Sequence, residues 1–284
     1  MKILEQKSLS EYTTFKMGGI ADKIYFPESL EELMELCASN SDIYSYVLGG
    51  GSNLLINNNR KFEKIVCLRQ FNNVVEYQAD GIYYVGASVR LQKLIKLINA
   101  DGYGGIEYLF SVPGLIGGAV FMNAGRGLMH NKCISDHVLS VDCLVDGVLT
   151  TFQKDDCEFA YRTSIFQKME KIIIIGVYFQ FDKISQNDAE KRINERIELC
   201  QRIQDMSYPN FGSVFCKSNR YIIALVKKFH FGYVNGITFS SKATNWLLNR
   251  DNGTFEQAIK LINRVKKIHK IFGQPCQVEV IIWE

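Results

Sequence analysis

Apolar residues recur with a helical period in four stretches of the chain. Leu30, Leu33, Met34 and Cys37 follow the i, i+3, i+4, i+7 spacing of a half-buried helix, behind a capping box of Ser29 and Glu32. Leu91, Leu94, Ile95 and Ile98 repeat that spacing, with Gly102 placed to end the helix. Ile193, Ile197 and Cys200 mark a highly charged helix from about Asn187 to Gln204. Phe255, Ala258, Ile259, Ile262 and Val265 line a fourth, capped by Thr254 and Gln257 and stopped by Gly273-x-Pro275. Between the helices lie strand-like runs: Tyr46 to Leu48, Ile82 to Gly86, Val138 to Val145, Lys171 to Phe181 and Gln277 to Ile282. Helices and strands mix without strict alternation, which predicts an α+β fold rather than a doubly wound sheet. The charged helix at 187–204 reads as a connector, because one set of glycine clusters stops before it and another begins after it.

Composition agrees with a globular protein of roughly two domains at about 150 residues each. Of 284 residues, 47% are hydrophobic and 22% charged, which excludes wholesale disorder. The net charge of +3 is too small to point to nucleic acid. No apolar run approaches the roughly 18 residues of a membrane helix, and Met1 to Ser10 lacks a signal-peptide core. A soluble, cytoplasmic protein is expected. None of the eight cysteines lies three positions from another, which argues against a zinc ribbon or a CxxC redox pair. Buried free thiols and no metal site are therefore expected.

Five short segments carry possible chemistry. Leu48-Gly49-Gly50-Gly51-Ser52-Asn53-Leu54 follows a short strand with three side-chain-free positions, so its amides can approach an anion closely. A diphosphate suits it, with Ser52 and Asn53 adding donors, and no Gly-Lys-Ser/Thr follows as in a triphosphate loop. A plain surface turn fits it too. Val112-Pro113-Gly114-Leu115-Ile116-Gly117-Gly118-Ala119 and Met122-Asn123-Ala124-Gly125 form a second glycine-rich block. The two blocks together suit an extended cofactor gripped from two sides, or merely two tight turns. In Glu158-Phe159-Ala160-Tyr161-Arg162-Thr163-Ser164, alternation sets Phe159 and Tyr161 on one face and Arg162 and Ser164 on the other. An arginine among aromatics serves an anionic or enolising group, or a surface ion pair.

Asn210-Phe211-Gly212-Ser213-Val214-Phe215-Cys216 holds a serine fit to be a nucleophile or a proton donor. It lacks the GxSxG elbow, and His137, His230 and His269 have no local link to it, so hydrolase chemistry is disfavoured. Cys216 is either a reactive thiol or a structural one. Glu279, the one carboxylate in Val278-Glu279-Val280-Ile281-Ile282, must be paired, exposed or functional.

Taken in order, these pieces resemble the UDP-N-acetylenolpyruvoylglucosamine reductase family, also called UDP-N-acetylmuramate dehydrogenases. The likeness opens at Tyr12-Thr13-Thr14-Phe15-Lys16-Met17-Gly18-Gly19. It runs through Gly49 to Asn53, Val85-Gly86-Ala87, Gly105-Ile106-Glu107, the Pro113 to Gly125 block and Tyr161-Arg162-x-Ser164, and ends at Gly212-Ser213-x-Phe215 and Glu279. It covers residues 12 to 282 and is closest to the compact subclass.

The resemblance implies a two-part FAD-binding domain of the vanillyl-alcohol-oxidase/PCMH type followed by a smaller α+β substrate domain. It places the first FAD-binding subdomain at 1–66, the second at 67–186, and the connector helix with the substrate domain at 187–284, whose C-terminal strand carries Glu279. It implies non-covalent FAD, NADPH as reductant, a nucleotide-sugar substrate, no nucleic acid, no membrane insertion and a monomer. Catalytic roles fall to Arg162, Ser213 and Glu279: arginine and glutamate stabilise an enolate-like intermediate, and the serine delivers the final proton. Cofactor contacts fall to Gly49, Gly50, Gly51, Ser52, Asn53, Pro113, Gly114, Gly117, Gly118 and Asn123. Substrate contacts fall to Tyr161, Lys217 and Asn245.

The chain departs from the family pattern in several places. Cys216-Lys217-Ser218 replaces Lys-Asn-Pro, Leu115 replaces a small hydroxyl residue, and Arg126-Gly127-Leu128 replaces Ala-Tyr-Gly. Lys242-Ala243-Thr244-Asn245-Trp246 stands for Lys-His-Ala-Asn-Phe. Two other readings follow: a related flavin oxidoreductase on another nucleotide sugar, or a flavin-binding paralogue without catalysis.

Overall fold

The computed structural model describes residues 1–40, 42–126, 132–228, 233–234 and 236–284. His230, Gly127 and Leu128 lie outside the described residues. The chain is α+β and divides into two compact units. The first unit comprises Met1–Leu4, Lys23–Gly50 and Lys64–Cys200; the second comprises Glu5–Asp22, Gly51–Glu63 and Gln201–Glu284.

In the first unit an antiparallel five-stranded sheet runs in the order 148–153, 138–145, 172–180, 82–86, 75–79. Successive residues of its central strands enter different cores. Cys143, Ile174 and Val177 join one cluster, while Leu144, Ile173 and Ile175 join another. The sheet is thus covered on both faces, which explains why Ile172 to Phe179 reads as a near-continuous apolar run instead of an alternating one. The helix Leu91–Ala100 fills the first cluster with Leu91, Leu94, Ile95 and Ile98. The helix Leu30–Ser39 fills the second with Leu33, Leu36 and Cys37. Its capping box is offset by one residue. Ser29 Oγ accepts from Glu32 N, but the Glu32 carboxylate accepts from Glu28 N. Val47–Leu48 pairs in parallel with Val66 and Cys67, which fixes where the glycine loop leaves the sheet.

The second unit carries an antiparallel sheet in the order 210–213, 246–249, 237–239, 233–234. Helix Phe255–Ile271 buries Phe255, Ala258, Leu261, Ile262 and Val265 in its core, behind the capping box of Thr254 and Gln257. Helix Arg220–Lys228 adds Ile223 and Val226. Phe15 and Met17 belong to the same core, and the Phe15 ring lies 4.6 Å from that of Phe211. This packing accounts for the apolar positions in Thr14-Phe15-Lys16-Met17. The adjoining Gly19 passes so close to the backbone that a Cβ there would collide with the Arg60 carbonyl oxygen. Gly19→Ala is expected to lower unfolding free energy by about 1–3 kcal/mol, the usual cost of overpacking. Urea titration measures it, and an unchanged midpoint would show that the Arg60 turn yields freely.

Three expectations are corrected. The single C-terminal strand is two short ones, Gln277–Val278 and Ile281–Trp283. Glu279 and Val280 interrupt it because both amides turn to one acceptor, Val214 O, at 2.7 and 3.5 Å. Second, Gly117 and Gly118 lie inside a helical turn, Ile116–Phe121, rather than an open loop. The amides of Ile116 and Gly117 are held there by Val89 O and Ala87 O, each at 2.9 Å. Third, the segment at 158–164 is a tight reversal and not a strand: Ala160 and Thr163 exchange two 3.0 Å backbone hydrogen bonds. Its side chains therefore do not alternate between two faces.

Candidate functional site

In the first unit Gly49 and Gly50 meet the second glycine block. A Cβ on Gly50 would lie 3.4 Å from Pro113 O and 3.6 Å from Leu115 N, so the loops pack backbone to backbone. Arg69 supports them from one side, donating from Nε to Gly49 O at 3.0 Å and from an Nη to Gly50 O at 3.1 Å. Peptide planes are trans here, so the amide N–H groups of Gly50 and Gly51 point away from that guanidinium. At Gly118 a Cβ would meet nothing within 4 Å, leaving its backbone face bare. Bare backbone with outward amides fits the phosphates and flat ring of a dinucleotide cofactor. No local motif marked Arg69; its partners lie 20 and 19 residues away.

Arg162 occupies the reversal at 160–163 with φ of 56°, a left-handed conformation costing a non-glycine residue about 1–2 kcal/mol. Its guanidinium donates to Gly125 O at 2.7 Å and to Asn123 O at 3.3 Å, and it stacks at 5.3 Å over the Tyr161 ring. Ser164 is fully buried and donates to Phe121 O at 2.7 Å. Nearby, burial pushes the Tyr108 phenol well above its ordinary range, partly opposed by the Arg162 charge.

The second unit gathers Ser213, Asn245 and Glu279 through the backbone. Gly212, with φ of 80°, lies at the register shift of strand Asn210–Ser213, whose last residue, Ser213, pairs opposite Trp246. The next residue, Val214, accepts Glu279 N at 2.7 Å and donates to Asn245 O at 2.9 Å. Asn245 clamps Phe215 with both ends of its amide, Nδ2 to Phe215 O at 2.7 Å and Oδ1 from Phe215 N at 3.1 Å. Asn53 Nδ2 donates to Glu279 O at 3.2 Å, and Ile281 N donates to Asn53 O at 3.1 Å. Asn53 thereby fastens the segment that carries the carboxylate. Lys217 is exposed, and Ser52 is half-buried.

Cys216 is half-buried, and its thiol is pushed up by burial and then by the Glu279 carboxylate, so it stays neutral at pH 7. This favours the structural reading of Cys216 over the reactive one. Among the described residues the histidines bond to backbone: His269 is fully buried, bonded to Asn219 N at 2.8 Å and Val265 O at 2.8 Å, and His137 bonds to Gln180 O at 3.1 Å.

A family model described as an FAD binding domain matches residues 21–150. UDP-N-acetylenolpyruvoylglucosamine reductase of Petrotoga mobilis is 31% identical, over 99% of this chain and 95% of its own length. The protein of that name from Carboxydothermus hydrogenoformans is 32% identical, over 98% of this chain and 93% of its own. That of Clostridium botulinum is 30% identical over 99% and 93%. The crystal structure of the Thermus caldophilus UDP-N-acetylenolpyruvylglucosamine reductase superposes with a TM-score of 0.80 at 23% identity, covering 100% of this chain and 98% of that one. This last match shows a shared fold.

Proposed function

The chain belongs to the UDP-N-acetylenolpyruvoylglucosamine reductase family, and from that premise we propose how its own residues serve the reaction. It is an FAD-containing, NADPH-dependent oxidoreductase that converts the enolpyruvyl ether of UDP-N-acetylglucosamine to UDP-N-acetylmuramate, a step in peptidoglycan precursor synthesis. The observation that carries this is full-length likeness: relatives at 31 and 32% identity align over 99% and 98% of the chain.

Non-covalent FAD, when bound, supplies the redox chemistry between NADPH and the vinyl ether. Everything else falls to side chains and backbone. Gly49, Gly50, Gly51, Ser52 and Asn53 offer amides and donors to the diphosphate, while Pro113, Gly114 and Gly117 border the remainder of the cofactor and Gly118 leaves its backbone bare for it. Arg162 sets a fixed cation for the charge that develops beside the substrate carboxylate, where a preorganised donor stabilises most. Glu279 serves the same enolate-like intermediate, and Ser213 delivers the proton that completes the lactyl ether. A serine is a weak acid, but an enolate is basic enough to take its proton. Tyr161, Lys217 and Asn245 complete the substrate contacts, Asn245 by shaping the Phe215 backbone. The reading also takes the protein to be a cytoplasmic monomer. Among the described residues no helix is long and apolar enough to cross a membrane.

The purified protein is expected to be yellow, to release intact FAD on acid treatment, and, without oxygen, to consume more than one equivalent of NADPH only when the enolpyruvyl sugar is present. A colourless protein that gains no flavin on reconstitution would overturn the proposal. NADPH consumption driven equally by another nucleotide sugar would redirect it to that substrate.

A further inference from the structure

We infer that Asn123 is a positioning residue for Arg162, holding the strained turn from which the guanidinium is aimed. The inference rests on the reaction proposed above. Asn123 is 2% exposed, and its own φ is 42°, so a buried polar side chain sits on a left-handed backbone position. Such a residue persists only where its surroundings fix it. Its Nδ2 donates to Ala160 O at 2.9 Å, and its Oδ1 accepts from Ser135 N at 3.3 Å. Both ends of the amide are thus engaged by backbone.

The first of these bonds grips the turn directly. Ala160 is the residue whose backbone closes the reversal with Thr163, and Arg162 stands inside that reversal at φ 56°. The Asn123 carbonyl then receives Arg162 Nη1 at 3.3 Å, while Gly125 O receives Nη2 at 2.7 Å. Gln167 Nε2 holds the Arg162 carbonyl from the other end at 3.2 Å. Asn123 therefore constrains Arg162 twice, once through the turn that carries it and once at the guanidinium itself. A residue that only contacted the cofactor would need neither contact.

The test uses Asn123→Ala holoenzyme, with the parent and Arg162→Lys measured alongside. FAD affinity by fluorescence titration and flavin reduction by NADPH should both stay within twofold of the parent. Reoxidation by the enolpyruvyl sugar should slow at least tenfold at saturating sugar, a kcat effect rather than a KM effect. In the Arg162→Lys background the same substitution should add less than twofold, because the geometry it protects is already lost. Should Asn123→Ala not accumulate folded, Gln167→Met removes the other support of the turn, and the same non-additive slowing is expected. Weakened FAD binding with unchanged reoxidation of the saturated enzyme would overturn the inference, as would effects that multiply in the double variant. A parent that fails to reduce the sugar at all would instead refute the proposed function.

Discussion

Ser213→Ala should accept electrons from NADPH into FAD at close to the parent rate and then fail to pass them on. The first half-reaction generates no substrate enolate, so the hydroxyl has no part in it. In the second half-reaction the missing proton donor should cost about 10²–10⁴-fold, the range for a positioned general acid. The structure favours a localised effect. Ser213 is set by Gly212 and by strand pairing with Trp246, and the neighbouring Val214 bonds to Glu279 N and Asn245 O through its backbone. Removing one Oγ leaves all of those contacts in place. Cys216→Ala serves as a contrast, since its thiol is turned to the Gln277 and Val278 carbonyls at 3.6 and 3.9 Å. Its defect should appear in apparent substrate affinity. Stopped-flow absorbance separates the two halves, and parent-like reoxidation of Ser213→Ala would remove the serine from the mechanism.

Arg162→Lys is expected to lose about 3 kcal/mol of transition-state stabilisation, on the order of a hundredfold in turnover, with substrate affinity changed little. Lysine keeps the charge and bears the same penalty for a left-handed backbone, so the comparison isolates the fork. The guanidinium reaches Asn123 O and Gly125 O with separate nitrogens, a span that one ammonium cannot reproduce. A lysine in its place is free to swing, and the cation no longer stands fixed where charge develops. Near-parent turnover would show that Arg162 serves only to close its own turn.

The long elements were legible because periodicity accumulates over several turns: helices Leu30–Ser39, Leu91–Ala100, Gln186–Ile203 and Phe255–Ile271 lie where the apolar spacing puts them. Short pieces were not. The strand Lys61–Cys67 shows its pattern only once its burial is known. The break at Glu279 depends on Val214, a residue distant in sequence whose carbonyl draws two amides out of the ladder. The candidate site divides along the same line. Its glycines and its charged residues stand out in the sequence because each is chemically unusual where it stands. Its supports do not, because a polar side chain that clamps backbone has no signature of its own. Asn53 reaches a carbonyl 226 residues away, and Thr14 Oγ1 one 196 residues away at Asn210 O. Asn123 and Asn245, which the resemblance assigns to cofactor and substrate, also engage protein backbone through their amides.

A single anaerobic turnover tests the central claim most directly. Protein reduced with one equivalent of NADPH is mixed with UDP-N-acetylglucosamine enolpyruvate while flavin absorbance is followed, and the sugar is then analysed by mass. The account predicts full reoxidation of the flavin, matched one for one by a lactyl ether two hydrogens heavier than the substrate. Flavin that stays reduced beside unchanged sugar would contradict it.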